Sequence, residues 1–175
     1  MKNNFRFTWA TEVMNIRPTD HILEIGCGAG FAIGPIAEKL KTGHLLAIDR
    51  SKTMVNRAWT RNSMYVEAGM VTFQQQDLAE LPPGEHRFNK IFAFNVNLFW
   101  AERSITHEAS LIQSHLKKNG FLFLFYQPPS YTKLEKTIAL VKANLEKENF
   151  KISEVLRSRE AASCCISAVK GSRTE

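Results

Sequence analysis

Gly26, Gly28 and Gly30 stand at alternate positions directly after the run His21-Ile22-Leu23-Glu24-Ile25. Residues without a Cβ let the backbone turn tightly and come close to a ligand. Glu24 sets a carboxylate near the end of the preceding apolar run. Two further runs also reach acids. His44-Leu45-Leu46-Ala47-Ile48 ends at Asp49, and Val71-Thr72-Phe73-Gln74-Gln75-Gln76 ends at Asp77, which Leu78 follows. An acid at the end of such a run can accept hydrogen bonds from a ribose diol. A glycine turn that leads into a helix presents backbone N–H groups to a nucleotide-like ligand. The spacing narrows the ligand. A dinucleotide loop needs G-x-G-x-x-G, but position 31 is Phe, so the chain reads E-x-G-x-G-x-G. That argues against a nicotinamide oxidoreductase.

These residues need a frame to position them. Short apolar runs bounded by turn residues have the character of buried parallel strands. Strands are expected at His21–Ile25, at His44–Asp49, from Val71 towards Asp77, and from Phe88 towards a loop around Asn97–Trp100. Phe121–Tyr126 is apolar on both faces and so belongs at the centre of a sheet. Helical spacing appears in Phe31, Ile33, Ile36, Ala37 and Leu40, and a short amphipathic helix fits Trp9–Ile16. Ser51 is a good N-cap for a helix through Met54, Val55, Ala58 and Trp59. Ile105, Ala109, Ile112 and Leu116 mark another helix, with Lys117-Lys118-Asn119-Gly120 read as its C-terminus. Leu134, Ile138, Val141 and Leu145 mark the last one. Between Asp77 and Phe88, Pro82-Pro83-Gly84 leaves no room for a full helix. Phe150–Arg157 and Ala162–Lys170 are two final strands, too close for a crossover helix and therefore an antiparallel pair. Cys164 and Cys165, adjacent in the second of these, face opposite sides.

Taken in order, the motifs resemble those of the class I S-adenosylmethionine (SAM)-dependent methyltransferases. The first motif of that family is an acid, glycines at this spacing and then a helix. The resemblance runs from about His21 to Lys170 and is carried by the ordered set rather than by any one motif. It implies an α/β fold: a doubly wound, seven-stranded, mostly parallel sheet in the order 3-2-1-4-5-7-6, strand 7 antiparallel, with helices on both faces. It implies SAM as cofactor and S-adenosylhomocysteine (SAH) as product. The implied cofactor-binding residues are Glu24, Gly26, Cys27, Gly28, Gly30, Asp49, Arg50, Met54, Asp77, Leu78 and Asn95. Glu24 would orient the amino group, directly or through water, or else cap the N–H groups of the loop. Asp49 would hold the ribose hydroxyls, against a plainer role as an acid at the start of the next helix. Met54 lies under the adenine or in the core. Asp77 and Leu78 flank the adenine, or Asp77 caps the next turn. Asn95 falls where the family contacts the methionine moiety and the reacting methyl, a satisfied strand-end amide being the alternative. Asn89 stands where many members carry Asp, a position read as structural. Gln127-Pro128-Pro129-Ser130-Tyr131 resembles the N/D-P-P-Y/F motif of amino-methylating nucleic-acid enzymes, but it follows the fifth run rather than the fourth. It is read as a rigid loop that ends a strand.

The 175 residues fit a single domain, 1–175, with 1–20 as an N-terminal cap segment. Nothing approaches the apolar run of about 20 residues that spans a membrane, and Met1–Arg6 lacks a signal-peptide core. A cytoplasmic location without a membrane partner is expected. Three cysteines form no disulfide framework, and no cluster has metal-ligand spacing. A net charge of +6 admits an acidic partner such as RNA. However, no basic run exceeds Lys117-Lys118, and Lys133, Lys136, Lys142 and Lys147 interleave with Glu135, Glu146 and Glu148 as on a solvated helix face. Nucleic acid is therefore not favoured. A sulfonium carries its own leaving group, so a base is needed only for a protonated acceptor. His21, His44, His86, His107, His115 and Tyr126 offer no single choice, and the catalytic residue stays unassigned. Phe5, Phe7, Trp9, Phe99 and Trp100 suit an aromatic wall around a small-molecule acceptor, and equally a core or a homodimer interface. The expectation is methyl transfer to a small molecule by in-line displacement. The alternative is a non-catalytic SAM/SAH-binding module or partner subunit, with an RNA or protein methyltransferase behind both.

Overall fold

A computed structural model of the chain describes residues 5–84, 87–100, 104–158 and 161–171. His21–Ile25 (β1), His44–Asp49 (β2), Val71–Gln75 (β3), Phe88–Phe94 (β4), Leu116–Tyr126 (β5), Phe150–Arg157 (β6) and Cys164–Lys170 (β7) form one sheet. Its order is β3-β2-β1-β4-β5-β7-β6. β1 to β5 pair in parallel, and β7 runs antiparallel to both of its neighbours. This is the order that the resemblance implied.

Both faces of the sheet are covered, which is why its strands read as continuous apolar runs. Successive side chains point to opposite sides. Ile22, Leu45, Ala47, Phe92, Phe123 and Phe125 join one core, while Leu23, Ile25, Leu46, Ile48, Ile91 and Leu124 join the other. Cys164 and Cys165 fall in different cores, as adjacent strand residues must. The first core packs under Phe5–Met14 (α1), Ile33–Ala37 (α2), Lys52–Arg61 (α3) and Ser63–Glu67 (α4). The second packs under Thr106–His115 (α5) and Tyr131–Lys147 (α6). Ser51 caps α3, as its sequence suggested, with its Oγ accepting from the Met54 N–H at 3.4 Å. Among the described residues, no helix is long and apolar enough to cross a membrane.

Several elements differ from expectation. α1 begins at Phe5 rather than Trp9, and Phe7, Ala10 and Met14 on it are buried. Within the expected cap segment, residues 5–14 are thus a helix with one face in the core. α2 after the glycine loop has only five residues. Gly34 weakens it and Pro35 withholds an N–H, so a longer helix cannot propagate there. Lys117–Gly120 does not end α5. The backbone extends already at Leu116 (ψ 137°), which pairs with Phe88 across a register shift. Gly120 passes so close to the Phe88 carbonyl that a Cβ would stand 2.9 Å from it. Asn89 accepts from the His21 N–H and from Lys117 Nζ, both at 2.9 Å, and so ties three strands together. β3 stops at Gln75, two residues short of Asp77, and β7 begins at Cys164 rather than Ala162.

Candidate functional site

In a parallel sheet, ligands bind outside the carboxyl ends of the strands, where the strand order reverses. Here that point lies between β1 and β4. The loop after β1 hooks back at once: the N–H groups of Gly26 and Cys27 both donate to the Ile48 carbonyl, at 2.8 and 3.0 Å. Gly26 holds φ 71°, and a Cβ on it would meet Val96 at 2.8 Å. Gly30 packs against α3, where a Cβ would lie 2.7 Å from Asn62 Nδ2 and 2.8 Å from the Ala58 Cβ. Around Gly28 the same construction meets nothing within 4 Å, so that side of the loop is open to a ligand.

Asp49 ties the loop from the end of β2. Its Oδ2 accepts the Gly28 N–H at 2.9 Å and its Oδ1 accepts the Ser51 N–H at 2.8 Å. It steadies the glycine loop and the start of α3 at once, and the second of these is the plainer role expected for it. Glu24 differs. It is 2% exposed, and its Oε2 is buried without a hydrogen-bond partner. It does not cap the loop, whose N–H groups are taken by Ile48, Asp49 and Cys27. Burial pushes its carboxyl well above the usual range, and the Asp49 charge adds to that. The Cys27 thiol is raised by burial and then by Glu24 and Asp49, and it sits buried with its Sγ 3.7 Å from the Gly28 carbonyl. It is a core residue and no thiolate nucleophile.

A cleft of about 470 Å³ opens above this loop. Gly26, Asp49, Arg50, Asp77, Leu78 and Asn95 line it. Asp77 also caps the 3₁₀ turn Leu78–Glu80, its Oδ1 accepting from the Ala79 N–H at 3.0 Å. Glu24, Cys27, Gly28, Gly30 and Met54 do not line the cleft. Glu24 and Cys27 are buried, Gly28 and Gly30 belong to the loop itself, and Met54 is half-buried on α3. Sequence reasoning missed Gln76 and Glu108, which also line it. It also missed two residues at the end of α3 that hold the loop from outside. Asn62 Nδ2 donates to the Gly30 carbonyl at 3.0 Å, and Arg61 Nε donates to the Ala29 carbonyl at 3.0 Å. No signal marks them, because an Asn and an Arg at a helix end are commonplace there.

Asn95 occupies the left-handed region at φ 51°, which Asn tolerates better than other side chains. Its Oδ1 accepts the Gln127 N–H at 2.8 Å, which locks the ends of β4 and β5 together. Beyond it lies a second pocket of about 450 Å³, apolar in its lining, between the strand ends and α6. Asn95 lines both spaces. Trp100, Tyr126, Pro128 and Pro129 form much of the second wall. The rigid Pro-Pro loop therefore shapes a cavity as well as ending a strand. Burial pushes the Tyr126 phenol well above its usual range, and its O–H donates to the Val96 carbonyl at 3.4 Å. The aromatics expected as a wall divide: Phe7 and Phe99 are core, while Trp100 is exposed at the pocket. None of the described histidines lines either space. His86 lies outside the described residues.

A seven-stranded sheet in this order, with a glycine turn after β1 and an acid ending β2, defines a Rossmann-like nucleotide-binding class. A family model described as a methyltransferase domain matches residues 22–120. The chain belongs to the class I, Rossmann-like SAM-dependent methyltransferase family. Over 82 residues it is 34% identical to the Bacillus subtilis (strain 168) protein YrhH, which carries a provisional methyltransferase name. That match spans 47% of this chain and 44% of YrhH, less than half of the relative's length. Among solved structures, magnesium protoporphyrin IX methyltransferase (ChlM) of Synechocystis PCC 6803 with bound SAM gives a TM-score of 0.71 at 19% identity, covering 97% of this chain and 79% of that one. A SAM-dependent methyltransferase of Aquifex aeolicus gives 0.73 at 17% identity, covering 94% and 89%. At such identities the likeness is one of fold.

Proposed function

We propose that this chain transfers a methyl group from SAM to a small-molecule acceptor. The observation that supports this best is the position of Asn95, in the wall common to a polar cleft and an apolar pocket. A cofactor on one side and an acceptor on the other would meet there. When bound, SAM supplies a methyl on a positive sulfur, so the carbon–sulfur electron pair returns to sulfur as the acceptor's lone pair takes the methyl.

The residues present fit that group. Asp49 has lone pairs left over from Gly28 and Ser51 and would accept the ribose hydroxyls. Glu24 is a buried carboxylate without a partner, and an ammonium brought beside it, directly or through water, would compensate its burial. Asp77 and Leu78 would flank the adenine from the far side of the cleft, with Arg50 at its rim. Asn95, fixed by Gln127, would hold the two reactants in line. Orientation of that kind can supply roughly 7–11 kcal/mol of the barrier reduction. Tyr126 stays protonated and acts as wall, not base. The acceptor is therefore nucleophilic as it stands or gives its proton to water.

Isothermal titration tests the cofactor half: SAH should give saturable heat and NAD none. Turnover of SAM to SAH with a panel of acceptors tests the rest. NAD binding without SAH binding would overturn the reading, and SAH binding without turnover would favour a non-catalytic module.

A further inference from the structure

We propose that the acceptor is an anionic amphiphile, with an apolar or aromatic body in the pocket beside α6 and its anion on Lys133 and Lys136. Its alignment for transfer rests on the methyl-transfer reading above; the pocket itself does not.

The cavity is the size of a small-molecule site. At about 450 Å³ it falls within the range of ~300–1,000 Å³ that encloses drug-sized ligands. Its strand-side wall is the indole of Trp100, the ring of Tyr126 and the Pro128-Pro129 loop, and Leu140 closes the helix side. Rings and prolines hold their shape, so the cavity suits a flat or chain-like apolar body. Its polar neighbours are largely spoken for. The Gln127 N–H goes to Asn95, the Tyr126 O–H goes to Val96, and the Thr137 hydroxyl donates to the Lys133 carbonyl at 2.9 Å.

Two cations remain at the cavity. Lys133 and Lys136 line it three residues apart on α6, and so lie on one helix face. The acid between them is occupied elsewhere: Glu135 accepts from Arg157 Nε and Nη2, each at 2.8 Å, across to β6. Neither lysine has an ion-pair partner among the described residues. An apolar cavity flanked by two unpaired ammonium groups selects a ligand with an anion at one end. It repels a cationic one, and a neutral one gains nothing from the lysines. The lysines come from the helix wall and Asn95 from the strand-end wall. The anion is thus an anchor, and a different atom of the body receives the methyl.

The test is a fluorescence titration of the full chain with 1-anilinonaphthalene-8-sulfonate and with its uncharged counterpart N-phenyl-1-naphthylamine, each with and without SAH. Both probes should bind alongside SAH, the sulfonate more tightly. The double variant Lys133→Gln/Lys136→Gln should weaken the sulfonate about threefold to tenfold and leave the neutral probe unchanged. Added salt should act in the same direction. Leu140→Trp fills the cavity and should remove both probes while SAH still binds. If that variant does not fold, Trp100→Ala, at a 41% exposed ring, replaces it and should weaken both probes. Sulfonate binding that ignores the lysine changes would overturn the anionic anchor. Probe binding that ignores both cavity variants would overturn the pocket. Probes behaving as expected in a chain that does not bind SAH would overturn the methyl-transfer reading and leave this pocket standing.

Discussion

Replacing Asp49 by Ala should act on stability and on cofactor affinity together, and the two effects can be estimated separately. The half-buried carboxylate accepts the Gly28 N–H at 2.9 Å and the Ser51 N–H at 2.8 Å. Hydrogen bonds to a charged group contribute about 1.5–3 kcal/mol each. Water reaches this site and replaces part of that, so about 1–3 kcal/mol is expected for the pair together. For a chain of this length each kcal/mol moves Tm by about 2–4 °C. Calorimetry should therefore show Tm lower by about 2–12 °C. A carboxylate offers about four acceptor positions. Those not used by the loop are the ones proposed for the ribose diol. Their loss should cost about 1.5–3 kcal/mol of binding, roughly 10- to 160-fold in the SAH Kd by titration. Asp49→Asn keeps one oxygen and should fall between Ala and wild type in both measurements. A lower Tm with unchanged SAH affinity would refute the ribose role and leave Asp49 as a tie for the loop.

The two glycine variants Gly30→Ala and Gly28→Ala both place a side chain at positive φ, at about 1–2 kcal/mol. Only Gly30→Ala also overlaps Asn62 and Ala58, so its urea midpoint should fall further; equal midpoints would contradict the packing described. Glu24 holds its proton more tightly in the folded chain than in the unfolded one. Stability should therefore decline as pH rises from the ordinary glutamate value of about 4.3 towards the raised one. Urea unfolding across pH should show wild type losing ground to Glu24→Gln over that window, and parallel curves would count against an unpartnered buried carboxyl. Asn95→Ala should strain the turn at φ 51° by about 1–2 kcal/mol more than Asn95→Gly. Both should lose methyl transfer before SAH binding, and retention of transfer by either would remove Asn95 from the site.

The parts of this molecule that could be read from its residues are those in which one physical cause dominates. A strand buried on two faces must be apolar throughout, so β1, β2 and β5 stand out. A loop that turns back on the next strand needs glycine, so Gly26, Gly28 and Gly30 stand out as well. The strand order came from the resemblance, because periodicity carries no information on which strands pair. Other features depend on contacts between distant residues. Spacing cannot tell that Glu24 has no partner while Asp49 has two. Lys117–Gly120 has the composition of a helix end, yet pairing with Phe88 draws the backbone into β5. Lys133 and Lys136 look like any solvated helix face until Glu135 is seen engaged by Arg157 and the cavity behind them is known. The N-terminal aromatics were legible as apolar but not as core or wall, since that choice is made by the sheet beneath them.

β7 lies between β5 and β6, although it is the last of the seven along the chain. During synthesis, then, the inner edge of β5 waits for a strand that leaves the ribosome only after α6 and β6. Until that strand docks, Phe121-Leu122-Phe123-Leu124-Phe125-Tyr126 presents an unpaired edge made of strong β-formers. Such a segment is the kind that stacks on copies of itself. Lys117 and Lys118 put two like charges at the entry to the same strand, and flanking charges of this kind oppose such stacking. A chain cut short after β6 would keep every residue of the polar cleft and still be prone to aggregate.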